Sequence, residues 1–320
     1  LYVLNAVSGA LIKTIGTGAG DSTTPSGLRE LTSYVSNAQQ DNSALRVYGG
    51  DLLGNLWRFD INGSATQAVL ITTLKDTATP SAPQPITTRL NLAEVDGNTF
   101  LLVGTGEMLG TSDIDPSNPK ASQVQTVYSI KDPLTTPKKL TSPLIDPESL
   151  RSTLRPIVLT TTVPKTNPDG SPDLTSLVRT AICPAASGGA VNPACANTDG
   201  WYVDLTQPNE RVTIDMAIAA QTLVFHSNVP SNSACSAGSS LLNYLNFQTG
   251  DPFAGPGGHV SQFGADSLAT GATPTTLPAG AMCEIVQIVT NADGTNKFEC
   301  IPTSTPPPLG KRISWREIAK

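Results

Sequence analysis

Strand-period alternation in one short stretch, RVYGGDLLGNLWRFDI at 46–61, constrains this chain more than any other feature. Val47 and Tyr48 open one run, and Trp57 and Phe59 alternate along the next. Large apolar residues at every second position line one face of an extended chain, the pattern of a half-buried strand. Residues 52–55 separate the runs, and Gly54, with no Cβ, can take the positive φ of a tight turn. The stretch therefore predicts a β-hairpin. No segment carries a long helical period. GLRELTSYV (27–35) fits either period, but it is short and ends in β-branched and aromatic residues, so it reads as a strand.

Diluted copies of the second run recur. Leu4-Asn5, Phe59-Asp60, Ile130-Lys131, Val203-Asp204 and Leu245-Asn246 each place a polar residue after an apolar one, with a large residue one or two positions earlier. The apolar members are spaced by 55, 71, 73 and 42 residues. Four of the five polar members are Asn or Asp, which start turns by bonding their own backbone. A constant strand motif at variable spacing suits a β-propeller with insertions between blades; a β-sandwich has no reason to repeat one strand motif.

The expectation is thus an all-β chain, a single propeller domain over 1–320 built of four-stranded antiparallel blades, about five of them plus a partial one. Strands are expected at 27–35, in the hairpin and at 67–74, then at 85–95, 99–109, 124–130 and 138–144. A third unit spans 155–163, 176–183, 200–205 and 210–216; a fourth has 219–230 and 240–250; a fifth has 283–289, 296–302 and 311–318. YVLNAVSG (2–9) opens mid-strand and runs into a turn, so we expect an excised fragment, with upstream blades missing or the ring open.

Composition narrows the function. A net charge of -6 argues against non-specific nucleic-acid binding, which needs basic surface. Only 14% of residues are charged, and a polar, β-branched, turn-rich balance is typical of extracellular all-β proteins. No apolar run reaches the roughly 18 residues needed to span a bilayer, and no signal peptide opens the chain. The five cysteines form no C-x-x-C pair, which argues against structural zinc. Cys183 and Cys195 flank a Gly/Ala/Pro-rich loop that a disulfide could close. Cys283 and Cys300 flank a turn at 291–294 and could bridge neighbouring strands, leaving Cys235 over. Disulfides would imply an oxidising compartment; the alternative is that some of the five are small buried residues.

YGGDLLGNLWRFD (48–60) resembles the signature of the PilC/PilY family of type IV pilus tip-associated proteins, in their C-terminal β-propeller. Its structural signature residues are Tyr48, Gly49, Gly50, Asp51, Gly54, Asn55, Trp57, Phe59 and Asp60. LYVLNAVSG (1–9), PSGL (25–28), VGTGEMLG (103–110), QTVYSIKD (125–132), GWYVDL (200–205), SNVPSNSAC (227–235) and RISWREI (312–318) resemble the same family in order. The resemblance implies a bacterial surface, pilus-tip, outer-membrane or periplasmic location and a role in pilus assembly, retraction control (hence twitching motility) and adhesion. Its implied partners are minor pilins and the pilus machinery, with a host or abiotic surface as a further target. Members carry a calcium loop just before the hairpin. Calcium takes six to eight oxygens. Here Asn37, Gln39 and Asp41 fall on alternate positions, Ser43 follows, and Leu45 takes the final carboxylate position, so any calcium site is weakened.

Other constellations read as structure. Asp113, Asp115 and Asn118 suit Asx turns, and Asn291, Asp293 and Thr295 a hairpin turn. Gly104-x-Gly106-x-x-x-Gly110 is followed by no helix pattern, so its glycines serve close strand packing and not a dinucleotide. Neither His226 nor His259 has a partner at catalytic spacing, and no nucleophile elbow exists. Trp57 and Trp201 share the repeat position and, with Trp315, read as core. Asp51 and Asp60 are expected to bond turn backbone or a neighbour such as Arg58. The leading expectation is a non-enzymatic pilus biogenesis and adhesion module with no catalytic residues. The alternatives are a quinone-dependent propeller dehydrogenase, whose strands also carry Y-x-L-[ND]-x-x-x-G, and a carbohydrate- or matrix-binding propeller. Insertions at 13–26, 164–175, 184–199 and 251–280 are the expected contact loops.

Overall fold

The computed structural model describes residues 1–36, 40–135, 142–163, 168, 178–219, 221–231 and 238–252, with the backbone of strands at 261–265, 273–276, 282–287, 298–302 and 310–312. The chain is all-β: among the described residues the only α-helix is the single turn Leu150–Thr153, and the other helical pieces are short 3-10 turns.

β1 (Tyr2–Leu4) and β2 (Leu11–Thr14) form a separate hairpin. β3 (Leu31–Tyr34), β4 (Arg46–Gly50), β5 (Asn55–Asp60) and β6 (Val69–Thr73) form a four-stranded antiparallel sheet in sequence order, the first expected unit. β7 (Asn91–Val95), β8 (Asn98–Gly104) and β9 (Thr126–Lys131) continue the second unit.

Of its expected fourth strand at 138–144, the described residues 142–144 are not in a strand. Residues 136–141 lie outside the described part, and the amides of Leu144 and Ile145 donate to the Leu70 and Ile71 carbonyls of β6. β9 pairs instead with β12 (Gly200–Asp204). Between them the chain inserts a hairpin of β10 (Arg155–Thr162) and β11 (Val178–Ile182), and β10 lies parallel to β12. The expected third unit thereby joins the second in a seven-stranded sheet, ordered β11-β10-β12-β9-β8-β7-β20, with β20 (Gly310–Arg312) at the far edge. Residues 210–216 are not a strand; Arg211 alone makes a bridge there, to Asn228. β13 (Ala217–Ala219), β14 (Thr222–Pro230), β15 (Gly238–Asn246) and β16 (Ser261–Ala265) form a second four-stranded sheet. β17 (Thr273–Thr276), β18 (Met282–Gln287) and β19 (Phe298–Pro302) form a three-stranded one.

The sheets stack face to face, and period-two alternation divides each strand between two cores. Leu92, Leu101, Val103, Tyr128 and Ile130 pack towards the β3–β6 sheet against Tyr48, Leu56, Ile71 and Ile86. Their neighbours Ala93, Val95, Phe100, Leu102 and Val127 pack the other way, against Trp201, Leu223, Phe225 and Leu245. A sheet buried on both faces needs apolar residues at successive positions. That is why β8 reads TFLLVG with no polar alternation. Gly104 at its end lies where a Cβ would sit 2.7 Å from Val212, the close packing expected of that glycine.

All five repeat motifs fall at strand ends: after β1, and at the ends of β5, β9, β12 and β15. Three of these strands, β5, β9 and β15, are each third in an antiparallel run, whereas β12 follows β9 in the same sheet. Trp57 and Trp201 are therefore both core residues but do not occupy equivalent strands.

Candidate functional site

The signature hairpin folds around a buried carboxylate. Asp51 has no exposure. It accepts hydrogen bonds from the amides of Leu53 (3.0 Å) and Asn55 (2.9 Å), from Asn55 Nδ2 (3.0 Å) and from Trp57 Nε1 (2.9 Å). Four donors compensate a group that burial alone would make very costly. The Asp51 carbonyl takes the Gly54 amide, and its backbone amide donates to Asn55. Gly54 sits at φ +75, and a Cβ there would meet the Leu74 and Gln84 carbonyls at 2.8 Å, so only glycine closes this turn. Asp51, Gly54, Asn55 and Trp57 thus form one turn-locking unit.

The other half of the signature reaches the next sheet. Arg58, on β5, donates to Asp60 (3.2 Å), to Asp132 (2.9 Å) and to the Thr135 carbonyl (2.9 Å). The Tyr48 hydroxyl donates to the second Asp132 oxygen at 2.7 Å, and the Leu134 amide to the first. Asp132 follows β9, so the cluster fastens the β3–β6 sheet to the seven-stranded one. Burial first, and then the Asp132 charge, push the Tyr48 phenol well above its ordinary value, so it stays a donor. The expected roles of Asp51 and Asp60 are both found, one on turn backbone and one on Arg58.

Similar clamps recur along the chain. Arg151 holds both Asp204 oxygens at 2.9 Å, donates to Thr126 and Tyr128, and lies 4.6 Å from the Tyr202 ring centre. Arg155 holds Asp251 through two 2.7 Å bonds. Arg179 and Glu210 form a fully buried bidentate pair, also at 2.7 Å, and Glu210 accepts from Ser227 and the Gln207 amide. Arg211 is buried against the carbonyls of Glu107, Asp113, Ala121 and Asn209, which fixes the 107–121 loop. Local patterning does not reveal these partners, because they lie tens of residues apart; Asp132 shows in the sequence only as the last residue of QTVYSIKD (125–132), just after a repeat motif.

In the loop before the hairpin, Asn37 and Gln39 lie outside the described residues. Asp41 is exposed and accepts from the Ser43 amide at 2.8 Å, and Leu45 presents hydrocarbon. Among the described residues no three His, Cys, Asp or Glu side chains cluster to hold a metal. Asp113 accepts from the Leu109 and Gly110 amides, Asp115 from the Ser117 amide and hydroxyl, and Asn118 from the Lys120 amide, the turn roles expected of them. Cys183 and Cys195 form the expected disulfide. Cys283 and Cys300 lie on paired strands, two register steps apart, since Cys283 faces Pro302 and Cys300 faces Ile285. Cys235, His259, Trp315, the 291–295 turn and the 164–167 and 169–175 parts of one contact loop lie outside the described residues. His226, on β14, is 1% exposed, and burial lowers its pKa to about 4, so it is neutral at physiological pH.

No family model matches the chain. A type IV pilus biogenesis factor PilY1 homolog from Xylella fastidiosa is 27% identical over 309 residues, covering 89% of this chain and 22% of that protein. The chain therefore spans about a fifth of that relative's length. The crystal structure of the Pseudomonas aeruginosa PilY1 C-terminal domain matches with a TM-score of 0.63 over 96% of this chain and 66% of that one, at 18% identity. Both matches are to PilY1-type proteins, and the second shows a shared fold. No helix among the described residues is long and apolar enough to cross a membrane.

Proposed function

We propose that this chain is a scaffold and docking module of a type IV pilus biogenesis factor, with no reaction of its own. The observation that carries the reading is the agreement of two independent comparisons, one by sequence and one by fold, on PilY1 proteins. The site chemistry supports it. The polar side chains of the signature lock one turn and fasten two sheets. We read the stacked sheets as blades of a propeller within a longer chain. In this reading the module works at the cell surface, pilus tip or periplasm, binds minor pilins and pilus machinery, and serves assembly, retraction and surface attachment.

The test is genetic. A strain lacking its PilY1-type factor is complemented with the full-length protein or with the same protein deleted of this segment. The reading predicts surface pili with the first and few or none with the second at equal protein level. Equal piliation by both would overturn it.

A further inference from the structure

We propose that the outer edge of β7 is a strand-accepting site, filled in this chain by β20 and able to take in its place an extended basic segment of a partner protein. On its inner side β7 pairs with β8 along its whole length, from Asn91↔Leu102 to Val95↔Asn98. On its outer side it pairs with β20 at three positions only, Val95↔Gly310, Glu94↔Lys311 and Ala93↔Arg312. The chain leading into β7 is closed off in other ways. Thr32 Oγ1 donates to the Leu90 carbonyl (2.6 Å), the Arg89 amide donates to Asp215 (2.9 Å), and Asn91 Nδ2 donates to the Met216 carbonyl (2.9 Å). The accepting stretch is therefore Ala93–Val95.

β20 is a weak occupant. Arg312 stands 219 positions beyond Ala93. So short a ladder contributes only about 1 kcal/mol per net hydrogen bond, against the entropy of ordering the strand. An incoming strand would gain the same main-chain bonds, the usual source of affinity in strand addition, while side chains supply the choice of partner. Ala93 and Val95 are buried in the core on one face. Glu94 points to the other face, half-buried, and accepts a 3.3 Å bond from the Tyr34 hydroxyl. It is the group left to select, and cross-strand partners have Cβ atoms about 5 Å apart. Lys311 holds that register position in β20. The geometry thus points to an extended segment with a cation opposite Glu94. This site is independent of the pilus reading, since it concerns strand exchange whatever the partner.

The test uses the full chain and a fluorescent peptide of residues 309–315, read by anisotropy. Lys311→Pro in the chain frees the edge by removing a ladder donor. Vacating a mostly occupied site should then tighten peptide binding about tenfold over wild type. Glu94→Lys in that freed chain should weaken binding, and a peptide carrying Lys311→Glu should restore it. No binding to the freed chain, or binding indifferent to the charge swap, overturns the proposal. Hydrogen exchange on the wild-type chain gives a second reading without any variant. The β20 amides that bond β7 should open locally, about tenfold or more faster than those of β8. Exchange of β20 only with global unfolding overturns it equally.

Discussion

A carboxylate sealed from water needs donors in place of its hydration, and Asp51 has four. Asp51→Ala would strand the Leu53 and Asn55 amides and the Trp57 indole in a buried turn. We expect a loss of about 3 kcal/mol, read from urea unfolding. Trp57→Phe should lose less, because the ring still packs against Phe59 and Ile15 and one bond goes. The signature was legible as a hairpin because its alternation is local. Its anchor was not, because Arg58 and Asp132 are 74 residues apart with no shared pattern. His226 sets a pH dependence whose sign follows from burial. Its pKa is 6.5 unfolded and about 4 folded, so between these values the unfolded chain binds the proton and the folded one does not. Its contribution is present above about pH 6.5 and is lost as pH falls towards 4, about 3 kcal/mol in all. Urea midpoints should therefore fall more steeply over that range in wild type than in His226→Gln; equal slopes would contradict this.

At the scale of elements, the inserted β10–β11 hairpin departs furthest from the sequence expectation. Alternation located both strands, but only their partners decide the sheet they join. The parallel pairing of Arg155–Ile157 with Trp201–Val203 leaves no local mark. Two devices hold the insertion. The Cys183–Cys195 disulfide ties the end of β11 to the approach to β12, and Arg179 on β11 pairs with buried Glu210. Replacing both cysteines by Ser should cost about 3 kcal/mol by the chain-entropy argument, and reductant should do the same to wild type. Arg179→Met alone should cost about 4 kcal/mol, because it abandons Glu210 in the core; adding Glu210→Leu should recover part of that. A double-mutant cycle in urea checks both values, and additivity would rule out the pair as described.

Across the whole molecule, sheets stacked face to face share two cores, with arginine–carboxylate clamps at the junctions: Arg58–Asp132 between the first sheet and the second, Arg155–Asp251 between the second and the third. The repeated strand ends mark an all-β chain of successive strands; the unequal sheets among the described residues, of two, four, seven, four and three strands, leave no such mark, because insertions change sheet membership without changing strand pattern. Fastened sheets leave loops as the variable surface, and the loop at 184–199, closed by the disulfide over 184–194, presents Val191 89% exposed. We propose that such a scaffold docks pilus components. The most direct measurement is calorimetric binding of the full-length protein carrying this segment to purified minor pilins, in calcium and in chelator. Binding is expected in both conditions, weakened by shortening the 184–199 loop. Absence of binding in either condition, with the protein folded, would contradict it.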